Sequence, residues 1–340
     1  MRTEIGLGLQ SDKAPGDYAR LAAAAEEHGV DVLSVFGDLL YQPPLVPLLE
    51  MAGATSRVRL GAACWNPYTT HPYELAGQYA ALDRASGGRA YLGLARGTWL
   101  GALGVAQPRP VAHLREAVAL VRALLAGATE GVAGELYPLA PGAALRYPLP
   151  AAPPRVLLGT WGPTTAALAG EVADELKVGG SANPAMVGVM REWTAVGARR
   201  AGRPEDAVGV VVGAVTVVDE DGDAARARAR TEVAMYLAVV AGLDPTVTLP
   251  DGLLEEVAAR VAAGDDVGAG RCVPDDVLDL FAFSGTPEQV AAQAQRLVDA
   301  GAARVEFGTP HGLTDDRGVE LIGTRVLPLI SRSAPRGEAL

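Results

Sequence analysis

Val305-Glu306-Phe307-Gly308-Thr309-Pro310-His311-Gly312 runs from strand-forming residues straight into a glycine- and proline-bearing turn that packing alone does not require. A loop of this kind at a strand end predicts a ligand contact. Gly61-Ala62-Ala63-Cys64-Trp65-Asn66-Pro67-Tyr68-Thr69-Thr70-His71-Pro72 has the same form. The two stretches read as strand ends of one barrel that converge on a common site.

Outward from these stretches, strand-like and helix-like segments alternate along the chain, the pattern of a parallel sheet with helices outside it. Strands are predicted at Glu4–Leu9, Asp31–Phe36, Arg57–Cys64, Ala90–Ala95, Arg155–Thr160, Glu175–Val178, Val208–Val218 and Ala303–Gly308. Helical windows fall at Asp17–His28, Leu45–Thr55, Tyr73–Ala85, Pro110–Ala126, Thr164–Ala173, Pro184–Ala201, Ala224–Ala241, Leu253–Ala263 and Pro287–Ala300. Asp17 reads as the first helix's cap, and Thr286-Pro287-Glu288-Gln289 as a capping box with proline at the first helical position. The expected fold is an α/β (β/α)8 TIM barrel, a single domain over residues 1–340. Two segments exceed the repeat. Residues 128–154 read as a long loop and residues 242–274 as one short helix between Pro- and Gly-rich joins, too little for a separate core.

With 340 residues, 49% of them hydrophobic, the chain has ample material for such a core. A net charge of -11 argues against nucleic acid as a partner, and Arg226, Arg228 and Arg230 read as a solvated helix face. The two cysteines, Cys64 and Cys272, have no metal-ligand spacing, so neither zinc nor a disulfide framework is expected. The first residues enter a strand without a signal-peptide pattern, and no apolar run reaches membrane-spanning length; a cytoplasmic location is expected.

In a parallel barrel the site lies at the carboxyl ends of the strands. Candidates there are Gln10, Asp38, Cys64 to Asn66, Arg96 to Thr98, Trp161-Gly162-Pro163, Gly179-Gly180-Ser181 and Gly308 to Gly312. Gly162-Pro163 and Gly179-Gly180-Ser181 suit an anion, because free amides at a helix start point outward; the alternative is that these glycines merely close turns. Asp38, set against Leu39, Leu40 and Tyr41, reads as a proton donor with a raised pKa, or else as a turn residue. His311 is a second candidate, whereas His71 reads as a cap for the helix that follows. Glu26-Glu27 and Asp315-Asp316 read as solvated doublets, and Lys177 lies inside a strand, a poor place for an aldolase lysine. Gly6-Leu7-Gly8-Leu9 lacks the third glycine of a dinucleotide fingerprint.

Four blocks, GAACWNPYTTHP (61–72), GRAYLGLARGTWLGALG (88–104), GTWGPTTAALAGEVADELKVGGSANP (159–184) and EFGTPHG (306–312), together with Asp38, resemble the luciferase-like monooxygenase superfamily. Within it the resemblance is to the branch that uses the deazaflavin coenzyme F420, in particular to methylenetetrahydromethanopterin reductases. The resemblance implies a non-proline cis peptide at Ala63–Cys64 behind the coenzyme ring, with Asn66, Thr160, Gly308 and Thr309 also at the coenzyme. It implies that Trp161, Gly162, Pro163, Gly179, Gly180 and Ser181 surround the tail phosphate, that Asp38 stands at the reacting edge of the ring, and that Thr309 and His311 face the mouth. Leu39 stands where many relatives have His, and Arg96-Gly97-Thr98-Trp99 where they often have an acid, which leaves the proton donor open.

The expected activity is hydride transfer between F420 C5 and a small organic substrate, reducing a C=N or activated C=C bond. Asp38 and His311 would be the catalytic residues, and Trp65, Tyr41 and Trp99 would wall the pocket. An FMN-dependent monooxygenase of the same fold and a non-catalytic flavin-binding protein are the alternatives. A homodimer is expected from the resemblance.

Overall fold

A computed structural model describes residues 2–333. In chain order its elements are β1 (Glu4–Leu9), α1 (Asp17–Glu27), β2 (Val32–Val35), α2 (Leu45–Ala54), β3 (Arg59–Ala62), α3 (Pro72–Ser86), β4 (Tyr91–Ala95), α4 (Pro110–Leu125), β5 (Arg155–Gly159), α5 (Pro163–Val172), β6 (Glu175–Gly179), α6 (Ala185–Arg200), β7 (Gly209–Val218), α7 (Gly222–Val240), α8 (Leu253–Ala262), α9 (Asp266–Arg271), α10 (Asp275–Phe281), β8 (Ala282–Gly285), α11 (Pro287–Asp299), β9 (Arg304–Gly312) and α12 (Asp315–Leu321).

The strands pair in the order β3-β2-β1-β9-β7-β6-β5-β4, all parallel, and the bridges Leu60↔Ala90 and Trp65↔Leu94 bring β3 back to β4. This nearly closes the expected barrel of eight parallel strands. Each strand presents alternate residues to the two faces. The outward set, including Leu7, Leu33, Leu60, Leu92, Val156 and Val305, forms the main apolar core with the helices. The inward set is mixed. Val32, Tyr91, Leu157 and Val211 make a small apolar plug, and the other inward positions are mostly charged or glycine, with Ser34 and Ala95 among them.

One strand was missed. Ala282–Gly285 is too short to show alternation, yet it forms β8 and pairs with the outer half of β7, Val215–Val218. The inner half of β7, Gly209–Gly213, pairs with β6. The two partners change over at Gly180, whose φ of 80° turns the chain away from β7. Such a φ is open to glycine at little cost.

The 242–274 expectation is corrected as well. This stretch holds α8 and α9, which pack with α7 and α10 around Val233, Leu237, Val257, Leu278 and Phe281 as an apolar cluster of its own. Arg226 and Arg230 are not a solvated face: Arg226 bonds Asp279 and Asp275, both at 2.8 Å, and Arg230 bonds the Val273 carbonyl at 3.1 Å, tying α7 to α10. Residues 128–154 form the expected long loop, with one antiparallel bridge between Val132 and Leu139. Tyr137 anchors it through bonds of 2.8 Å to both the Pro67 carbonyl and His113.

Local chemistry explains the other shifts. β3 starts at Arg59 because the Glu26 carboxylate takes the preceding amides, with Ser56 and Val58 each donating at 2.9 Å. Glu26 is therefore buried rather than solvated. Burial pushes its carboxyl up, and these donors outweigh that and hold it at about 2. Asp17 begins α1 from inside the first turn, where it bonds Arg20 at 2.8 Å, and the cap position is Gly16. The Thr286 capping box and the His71 cap, which accepts from the Tyr73 amide at 3.1 Å, form as expected.

Candidate active site

Asp38 follows β2 at the carboxyl end of the barrel, where its side chain is exposed at the mouth. Burial pushes its carboxyl above the ordinary value, with the Gln10 side chain and the Lys177 charge acting in the opposite direction. The Gln10 carboxamide nitrogen is buried and makes no hydrogen bond of regular geometry among the described residues, with the Asp38 carboxylate as the acceptor beside it. A buried donor without a regular bond beside a raised acid is a mark of a ligand site.

Next to these groups, the peptide Ala63–Cys64 is cis, as the resemblance implied. Cys64 turns inward onto the apolar plug, and its Sγ would stand 3.0 Å from a Cβ at Gly159. Burial pushes the thiol up to about 12, so it stays protonated and serves as floor rather than as nucleophile. Asn66 accepts from the Tyr68 amide at 2.8 Å. Trp65 does not wall the pocket: it is 4% exposed and packs in the core outside the sheet, while Tyr41 and Trp99 are exposed on their loops.

At the fifth and sixth strand ends, Thr160 Oγ1 accepts from the Gly162 amide at 3.0 Å, and Trp161 donates its indole N–H to the Gly179 carbonyl at 2.9 Å. Pro163 opens α5, and no described group accepts from the Thr164 or Thr165 amide, which leaves two donors at this helix start. The third strand-end group differs. The Gly180 and Ser181 amides both donate to the Gly213 carbonyl, at 2.7 and 3.1 Å, so neither is free for an anion. Ser181 is buried, and its Oγ accepts from the Asn183 amide at 3.2 Å.

The segment 308–312 is strand, not loop. β9 continues past Gly308, and after a bulge Val217 and Val218 of β7 pair with His311 and Gly312. His311 accordingly does not face the mouth. It is 0% exposed, both ring nitrogens lack hydrogen-bond partners, and burial pulls its pKa down to about 4. A group so enclosed has no route to a substrate proton. Thr309 lies at the rim, its hydroxyl bonded between Gly8 and Gln10 of β1.

Beneath the mouth lies a set of residues that sequence reasoning did not select. Lys177 is ion-paired with Glu306, which also accepts from Ser34 at 2.7 Å, and Ser34 bonds Tyr91 at 2.8 Å. Arg304 lies 3.4 Å from Glu175 and 3.7 Å from Glu306. Arg59 and Arg155 reach Glu175 from the opposite end at 3.3 and 3.1 Å. Gly8 makes room for this layer, since a Cβ there would meet the Phe36 ring at 2.4 Å and Glu306 at 3.1 Å. The signal was present as opposite charges two apart on apolar strands, Glu175-x-Lys177 and Arg304-x-Glu306. Surface hollows of about 410 and 540 Å3 beside α4 and at the start of α3 contain none of the strand-end residues. Among the described residues no cluster of His, Cys, Asp or Glu is arranged to hold a metal, and no helix is long and apolar enough to cross a membrane.

A parallel barrel with a polar rim at its strand ends and a charged interior is a TIM-barrel protein of the enzyme-bearing kind. The chain belongs to the luciferase-like monooxygenase family, whose sequence profile matches residues 1–304. It is 31% identical over 335 residues to a 5,10-methylenetetrahydromethanopterin reductase of Archaeoglobus fulgidus, covering 96% of this chain and 99% of that one. It is 30% identical over 322 residues to the same enzyme of Methanolobus tindarius, covering 91% and 95%. Its fold matches the solved coenzyme F420 dependent tetrahydromethanopterin reductase of Methanopyrus kandleri with a TM-score of 0.84 at 25% identity, over 97% of this chain and 100% of that one.

Proposed function

We propose that the protein is an oxidoreductase that uses coenzyme F420 to move a hydride between the deazaflavin C5 and a small organic substrate, reducing a C=N or an activated C=C bond. The observation that carries this reading is the end-to-end likeness to the F420 dependent reductase, joined to glycines at the strand ends that leave room above the barrel. The floor is low at Gly159, Gly162 and Gly179, where a Cβ would meet no atom nearer than 3.0 Å. The Gln10 side-chain carboxamide, beside Asp38, is a donor for a ring carbonyl.

In this reading Ala63 and Cys64 back the ring, and Asn66, Gly308 and Thr309 shape its edges. Thr160, Trp161, Gly162 and Pro163 hold the tail phosphate through the free amides at the start of α5, where the helix dipole favours negative charge. Gly179, Gly180 and Ser181 form the adjoining wall. When bound, the coenzyme supplies the hydride chemistry; the protein positions the reacting carbons and screens them from water. Asp38 is the group placed to pass on the proton that accompanies the hydride, because it stands at the mouth and its surroundings favour the neutral carboxyl more than water does. We further propose a cytoplasmic homodimer, supported by Val46 and Leu49, apolar residues exposed on α2.

The test is titration with oxidised F420 and with FMN, followed by absorbance and oxygen uptake. Tight F420 binding without oxygen uptake is the expected result. Tight FMN binding with oxygen consumption on reduction would replace this reading with that of a monooxygenase.

A further inference from the structure

We propose that Lys177 is a positioning residue: its ammonium, anchored by Glu306 beneath the coenzyme floor, biases the barrel toward the reduced coenzyme. This rests on the F420 reading above and deepens it. Four observations lead there.

First, Lys177 is held by one oxygen of Glu306: the ammonium pairs with Oε1, and the other contacts of that carboxylate fall on Oε2. Oε2 accepts from Ser34 at 2.7 Å and has Arg304 at 3.7 Å. Second, the cation is fixed. Lys177 is 5% exposed, paired with Glu306, and its Nζ lies 4.9 Å from the centre of the Phe36 ring. Third, little stands between it and the mouth. Among the described residues and apart from its chain neighbours, the one heavy atom within 4 Å of a Cβ placed at Gly179 would be Lys177 Cε, at 3.9 Å. Fourth, its charge reaches the mouth: Lys177 acts on Asp38 with no opposing contribution from Glu306, whereas at Cys64 Glu306 acts against it.

A hydride carries two electrons and one proton, so accepting it adds a negative charge to the acceptor and donating it removes one. The two redox states of the coenzyme thus differ in charge unless a proton follows. A fixed cation under the floor stabilises the more negative state, and in a low-dielectric interior this acts over several ångströms.

The experiment titrates the parent protein, Lys177→Met and Lys177→Arg anaerobically with oxidised and with reduced F420, reading coenzyme fluorescence and absorbance. The expected result is that Lys177→Met weakens binding of the reduced form about tenfold more than binding of the oxidised form, while Lys177→Arg keeps the parent ratio. If Lys177→Met fails to fold, Lys177→Met/Glu306→Gln, which removes both charges, carries the measurement with the same direction expected. A folded variant with the parent ratio overturns the proposal and leaves the pair as packing. A parent protein that binds neither form overturns the F420 reading, and this proposal with it.

Discussion

Thr309 Oγ1 donates to the Gly8 carbonyl at 3.1 Å, joining β9 to β1 where their regular pairing ends at Gly8 and Gly308. The same oxygen accepts from the Gln10 amide at 2.8 Å, so one hydroxyl fixes the backbone that carries the Gln10 side chain. Thr309→Val keeps the shape and removes both bonds. It is expected to cost about 1–3 kcal/mol, read from denaturant midpoints, because a partly buried amide loses its acceptor. A change within experimental error would show that water replaces the hydroxyl.

Asp38→Asn separates catalysis from stability. The carboxyl sits above its ordinary value, so the native state favours the protonated form. That contribution is present below the unfolded pKa and is lost as pH rises through the native one. At neutral pH the asparagine variant should therefore melt no lower than the parent, while turnover falls by about 10²-fold or more. Full turnover in the variant would remove Asp38 from proton transfer.

His311 gives a pH dependence of the opposite sign. Its native pKa, near 4, lies below the unfolded value of about 6.5, so protons bind the unfolded chain more readily between these limits. Stability should fall as pH drops from 6.5 toward 4, by on the order of 3 kcal/mol from this group, and level off below. His311→Asn, a residue type that tolerates the φ of 71° found here, should flatten that part of a urea-midpoint profile. An unchanged slope would mean that other groups set it.

Glu175→Gln tests the interior charges. Glu175 is the shared partner of Arg59, Arg155 and Arg304, and its removal leaves Arg304 with only Glu306 at 3.7 Å. The expected loss is about 3–5 kcal/mol in thermal or chemical unfolding. A loss below about 1 kcal/mol would show that water enters the barrel and solvates the guanidinium.

The barrel was legible because its outward strand positions are continuous apolar runs and its helices carry clear start signals, as at Thr286-Pro287-Glu288-Gln289. The Asp38 position and the cis peptide at Ala63–Cys64 were legible from the strand ends and the family blocks. His311 misled because Gly-Thr-Pro-His-Gly has turn composition, whereas pairing with β7 extends it as strand. The Gly180-Ser181 amides misled because local sequence does not reveal that the Gly213 carbonyl, more than thirty residues further on, takes them both. The interior charges were missed because a lysine in a strand reads as a misfit until its partner on another strand is known.

The divided pairing of β7 separates two kinds of inheritance in this chain. On one edge its inner half pairs with β6 and its outer half with β8, which joins it to the helical annex of α7 to α10, while β9 follows both halves on the other edge. The annex is thus hung from a strand segment that lies beyond the buried charges. Yet it leans on the sixth strand end, where Tyr236 and Val240 of α7 lie against Gly180 and Asn183 donates to Asp244 at 2.9 Å, so a change among these helices is felt at the rim above Lys177 and Glu306.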